Sequence, residues 1–170
     1  MTGLPQPKEY FEYYGDYVRR VPEDDIIDAM GKQLVETLAV IRRIPEEKTA
    51  ENIDGKWSVR EIVGHLCDSE RIFSYRAYRF AHNDRNELAG FEQDDYVREG
   101  HANERTTDDL LDEFALLRRA TIAAFRHVTP EIGLRSGVAS GHPISVRALL
   151  YLTVGHERRH VEKLRQRFGV

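Results

Sequence analysis

Apolar residues recur along the chain at steps of three and four, the spacing that gathers side chains on one face of an α-helix. Ile27, Met30, Leu34, Leu38 and Ile41 form the first such stripe. Pro22 followed by Glu23, Asp24 and Asp25 predicts its start, because proline fits a first turn and acids complement the helix dipole. Pro45 ends it. The second start is the clearest: Ser58 with Glu61 spells a capping box, and Trp57 is placed to pack on Ile62. Ile62, Leu66, Ser69, Phe73, Ala77 and Phe80 then mark one face of a helix reaching about Ala81, before His82, Asn83 and Asp84. A third helix begins at Thr106 or Thr107, carries Asp108 and Asp109 in its first turn, and turns Leu110, Phe114, Leu117, Thr121, Ala124 and Val128 inward before Pro130. The fourth follows Gly141, His142 and Pro143, with Ser145 as cap and Ile144 stapled on Leu149. Its stripe is Leu149, Thr153, His156, His160, Leu164 and Phe168, so two histidines stand where core residues are expected.

Between the second and third helices, residues 83–105 hold Gly90, Gly100 and no clear period. Structureless connections beyond ~12–15 residues are uncommon in compact domains and often functional. Residues 129–143 have room for a short hairpin. Four long amphipathic helices with two long crossings predict an all-α helical bundle, one domain over residues 1–170 with an N-terminal extension of about residues 1–21. That extension carries Pro5, Pro7 and charged residues rather than an apolar stretch, so it does not read as a secretory leader, and the cytoplasm is the expected location. No apolar run approaches the ~18 residues of a spanning helix, so no membrane is expected.

Composition narrows the classes further. Hydrophobic residues at 41% and charged residues at 32% argue against disordered, fibrous and membrane proteins. Net charge is −4, and no basic tract is interleaved with aromatics, so nucleic acid is not an expected partner; an anionic small molecule in a local pocket stays open. One cysteine, Cys67, excludes an internal disulfide and a cysteine zinc cage, and reads as a small buried residue. Seven histidines remain as the plentiful soft ligands.

His156 and His160 lie one turn apart on one helix face and can chelate one metal ion. With Glu157 they spell the H-E-x-x-H string of zinc peptidases, but Lys163 and Gln166 stand where one large group continues with glycine and histidine, and too little chain follows for the other. His65 lies beside the Ile62, Leu66 and Ser69 stripe and points to the same interior. Three neutral histidines with an open position make the ligand set of a catalytic zinc-type site, where the metal activates water or a thiol.

The run from Lys56 to Glu70 through Trp57, Ser58, Glu61 and His65, joined much later by Gly155-His156-Glu157-Arg158-Arg159-His160, resembles the DinB/YfiT-like superfamily of metal-binding four-helix proteins. The segment from Tyr78 to Phe80 and on through Gly90 to Tyr96 is similar to the loop after that family's second helix. The resemblance covers roughly residues 22–168 and implies an up-down-down-up bundle, often dimeric, with one divalent metal ion, zinc or nickel, on His65, His156 and His160. It also implies a low-molecular-weight thiol activated for S-transfer to an electrophile, with a metal-dependent hydrolase or a non-catalytic, stress-related metal-binding bundle as alternatives. No catalytic side chain is singled out.

Around the ligands, Asp68 and Glu61 are spaced to orient the free ring nitrogen of His65, although Glu61 is claimed by the cap. Glu157 is a candidate partner of the ligands or a base, and an exposed acid paired with Arg158 or Arg159 is its default. Tyr75, Arg76, Tyr78 and Arg79 read as a bundle flank or dimer contact beside the long crossing, with a carboxylated thiol as the functional reading. Gln93, Asp95 and Tyr96 are loop residues within reach of covering a metal. His82, His101, His127 and His142 receive no role.

Overall fold

The computed structural model describes residues 3–170. Its helices are α1 (Gly15–Arg19), α2 (Ile26–Ile41), α3 (Val59–Ala81), α4 (Gln93–Glu99), α5 (Thr107–Phe125), α6 (Pro130–Gly133) and α7 (Val146–Phe168), with a hairpin of β1 (Ser136–Ala139) and β2 (His142–Ser145) between α6 and α7. The capping box of α3 forms as the sequence predicts: Ser58 accepts from the Glu61 amide, and Glu61 accepts from the Ser58 amide. Such a cap contributes about 1 kcal/mol. Ser145 caps α7 through the Ala148 amide. The first long helix begins at Ile26 and not at Pro22, because the Asp25 carboxylate accepts from the Ile27 and Asp28 amides and sets the N-terminus there.

Cross-helix pairs fix the directions. Arg42 meets Asp108 and the Met30 carbonyl meets Arg118, so α2 and α5 run antiparallel. Cys67 reaches Leu110 and Glu70 reaches Arg118, so α3 and α5 run parallel. Trp57 pairs with Arg167 and His65 with His156, making α3 and α7 antiparallel. Gln33 with Arg158 and Glu36 with Arg165 make α2 and α7 parallel. The result is an up-down-down-up bundle in which the parallel step from α3 to α5 needs a crossing the length of the bundle. Residues 83–105 supply it, and they are ordered: they hold α4 and a 3-10 turn at Ala102–Glu104. Absence of a period over this stretch reflects short elements lying on the bundle rather than a mobile loop.

The hairpin expected from residues 129–143 is present over residues 136–145, starting seven residues later and ending two later. Ser140 and Gly141 both take positive φ, at 53° and 77°, the pair of left-handed residues a tight two-residue turn requires. Leu88 of the crossing bonds to this hairpin, donating to the Val138 carbonyl and accepting from the Ser140 amide.

The extension is not an appendage. Segment α1 packs along α7, and the Tyr17 carbonyl lies so close to Gly155 that a Cβ there would meet it at 1.9 Å. As a result α7 is buried nearly all round from Ala148 to Glu157, well beyond its six-residue stripe.

The core is split in two. One apolar cluster joins Ile26, Met30, Phe73, Phe80, Phe125 and Leu149. The other joins Leu34, Ile62, Leu66, Leu110, Phe114 and Leu164. Between them every long helix contributes buried polar residues: Gln33 and Thr37, His65, Ser69 and Glu70, Arg118, and His156 and Glu157. This polar belt divides into two groups of opposite character.

Candidate metal centre

His65 on α3 and His156 and His160 on α7 bring their Nε2 atoms together at the belt. The His65 and His156 Nε2 atoms are 3.0 Å apart, and those of His156 and His160 3.2 Å. Ligand atoms bound at ~2.0–2.1 Å to one ion lie about 3.0 Å apart on an octahedral face and about 3.3 Å apart on a tetrahedron. His65 and His156 are buried, and His160 is partly exposed toward a cavity.

As a hydrogen-bonded cluster the trio is poor. A neutral imidazole offers one donor and one acceptor, yet the single His156 Nε2 faces two partners, and the buried His65 Nδ1 has none among the described residues. As a ligand set it is coherent, since each ring offers a lone pair at the same point. Burial holds the rings neutral: desolvation pushes His65 down to about 4, and His160, facing also His65 and nearby cations, down to about 3. His156 is lowered by burial and then by its two histidine neighbours. Neutral imidazole is the form that binds metal. The residues present therefore fit a divalent cation.

Aromatic rings wall the trio. Trp57 lies 4.9 Å from the His65 ring and parallel to His160 at 6.4 Å. Tyr17 and Phe73 stand 5.7 and 5.9 Å from His156. Beyond them opens a cavity of about 890 Å³ whose wall includes His156, His160, Lys56, Arg159, Lys163 and Arg167. Lys163 is lowered by burial and by Arg159 and Arg167 beside it, so the mouth is locally cationic although the chain carries −4. A second cavity, of about 340 Å³, reaches His65 and His156 from the side of the crossing and the hairpin.

Several expectations around the ligands are overturned. Glu157 is not an exposed acid: it is 1% exposed, accepts from the Thr37 hydroxyl at 2.6 Å and pairs with Arg118 at 2.8 Å. It points away from the histidines because the next residue along a helix lies about 100° round the axis. Asp68 does not orient His65. It sits 3.8 Å from Arg71, and shares with His65 only the wall of a cavity of about 150 Å³. Glu61 stays with the cap and with Asn52. Arg76 is no flank residue, being 5% exposed, whereas Tyr75 and Tyr78 do face solvent. Of the crossing residues, Gln93 lines both cavities, while Asp95 and Tyr96 are exposed away from them. Cys67 is buried, and desolvation raises its thiol, so it remains a packed, un-ionised group.

Sequence reasoning missed Arg118 and Glu70. Arg118 is fully buried and pairs with Glu70 and Glu157, each at 2.8 Å, with Gln33 and Thr37 completing the chain of bonds. The signal was present: Arg118 stands between Phe114 and Thr121 on the inward face of its helix. Tyr17 carried none, because its place depends on how α1 folds back on α7.

The model of the DinB superfamily matches residues 30–164. Among solved structures, YfiT from Bacillus subtilis, described as "a probable metal-dependent hydrolase with an unusual four-helix bundle topology", is 18% identical with a TM-score of 0.76, covering 98% of this chain and 95% of that one. The DinB-like protein YjoA from Bacillus subtilis is 19% identical with a TM-score of 0.61, covering 85% of this chain and 89% of that one. No curated protein sequence matches. The fold of these structures is shared over nearly the whole chain, the family model spans all three histidines, and the chain belongs to the DinB superfamily.

Proposed function

We propose that this chain is a metal-dependent enzyme acting on a small molecule, with one divalent cation, zinc or nickel, held by His65, His156 and His160. The observation that carries the reading is the meeting of three histidine side chains at one point, with one cavity opening on His156 and His160 and a second on His65 and His156. When bound, the cation lowers the pKa of a thiol or water beside it and so supplies a nucleophile at neutral pH. The chain's own residues keep three lone pairs free of protons, exclude bulk water through Trp57, Tyr17 and Phe73, and place cations at the mouth.

The thiol reading is preferred over hydrolysis because the walls hold no buried base. Glu157 is locked to Arg118, and the acids on the two cavities that reach His156, Asp54 and Glu92, are exposed. A thiol starting near ~8.5 needs only a small downward shift to ionise at pH 7, whereas water starts at ~15.7. Hydrolysis is the second reading, supported by the description of YfiT as a metal-dependent hydrolase.

Metal content of the purified protein tests the site: about one ion per chain is expected, with loss in His160→Ala, and an unchanged stoichiometry in that variant refutes the ligand set. Incubation of loaded protein with low-molecular-weight thiols and a model electrophile tests the reaction. Metal-dependent conjugate is expected, and ester cleavage without conjugate would decide for hydrolysis.

A further inference from the structure

Two arginines of the described chain are buried, and they are treated very differently. Arg118 has two carboxylates. Arg76, 5% exposed, has none: its Nη2 donates to the Ala89 carbonyl at 2.7 Å and to the Ser140 hydroxyl at 3.0 Å, and its other nitrogens bond to no described residue. Arginine keeps its charge at any ordinary pH, so this is a buried cation held in a fixed pose by two neutral oxygens and left without a counterion. Ser140 is itself held at φ 53°, a conformation non-glycine residues seldom adopt, with its hydroxyl on the guanidinium.

Arg76 lies on the wall of the cavity of about 340 Å³ that also contains His65, His156 and Ser69. The Ser69 hydroxyl is 2% exposed and is without a partner among the described residues. His65, Ser69, Phe73 and Arg76 follow one another along one face of α3, so the cavity runs from the histidines to the guanidinium. Glu92, the carboxylate on this wall, is exposed and forms no ion pair.

We propose that this cavity binds an extended small molecule bearing a carboxylate, which pairs with Arg76 and accepts from Ser69 while its other end lies at the histidines. The last clause rests on the metal reading above; the carboxylate site does not. A carboxylate matches one planar guanidinium and one hydroxyl, whereas a phosphate dianion would want further cations, and this wall has none. The cationic mouth of the larger cavity favours entry of anions.

Calorimetric titration of the full chain, kept metal-free so that zinc cannot ligate the second carboxylate, with suberate and with 1,8-octanediol, an uncharged molecule of similar length, tests the proposal. Suberate is expected to bind at least tenfold more tightly than the diol. Arg76→Gln should erase that preference while leaving zinc stoichiometry intact, and Arg76→Lys should restore part of it. Should Arg76→Gln fail to fold, Ser69→Ala gives the second test, with suberate weakened at least threefold and zinc content unchanged. Equal binding of suberate and diol, a preference that survives in the folded variants, or displacement of suberate by inorganic phosphate would overturn it. Zinc uptake, measured apart from the titration, separates the two readings. Arg76-dependent suberate binding by a chain that takes up no zinc would refute the metal centre alone, and a chain that takes up zinc but in its metal-free form is indifferent to carboxylate would refute this inference alone.

Discussion

The polar belt holds two buried groups a few residues apart on the same helices, and they obey opposite rules. In the Arg118 group every charge is answered: two carboxylates, one guanidinium, a threonine and a glutamine form a closed set of bonds, and of these the glutamine lines a cavity while bonded to its partners. In the histidine group three neutral rings crowd their lone pairs, one ring nitrogen and a serine hydroxyl lack partners, and cavities open on more than one side. Buried polar groups are ordinarily satisfied, so a satisfied set holds a fold together and an unsatisfied one waits for something else. His156 and Glu157 are adjacent in sequence and belong to different groups.

The largest expected break of this comparison is Arg118→Met. It strands Glu70 and Glu157 without a counterion, and chemical denaturation of the metal-free protein should show a loss of about 3–5 kcal/mol. A loss below about 1 kcal/mol would mean that the two groups do not differ as described.

Acid comes next and strikes the other group. Because burial lowers the folded-state pKa of His65 to about 4, below the ~6.5 of a free imidazole, the unfolded chain binds the proton first. The stability of the metal-free protein should therefore be complete above about pH 6.5 and fall as pH drops toward 4, by on the order of 3 kcal/mol from His65 alone. The same protons compete with metal, so content measured after dialysis should fall across that window. A flat stability between pH 6.5 and 4 would contradict neutral, buried rings.

His160→Ala sharpens the contrast. Zinc affinity should drop at least ~100-fold, whereas the metal-free chain should stay within about 1 kcal/mol of the parent, since the substitution relieves a crowded lone pair. Paired titration and denaturation check both halves. The smallest effect is expected from Ser69→Ala, neutral or stabilising by up to about 1 kcal/mol in the unliganded protein, because it removes a buried hydroxyl with no partner.

Much of this was legible from periodicity. The four long helices, the caps at Ser58 and Ser145, and the inward histidines follow from local rules that the fold does not override. What escaped depends on partners distant in sequence. Glu157 reads as a surface acid until Arg118, 39 residues away, is seen beneath it. Arg76 reads as a flank until Ala89 and Ser140 close over it. The crossing showed no period because α4 spans only seven residues and buries just Val97. The start of α2 slipped because Pro22 and Asp25 are both good N-terminal residues, and only the Asp25 carboxylate finds its amides.

Gly155 sets how closely the N-terminal segment can approach α7. The seat it leaves for the Tyr17 carbonyl is what lets a segment outside the family-matched residues 30–164 form one wall of the histidine site. In this chain any side chain at that position would leave no room for the strap and would widen the opening beside His156. A single hydrogen thus sets how closely the Tyr17 segment lies over the ring that follows it.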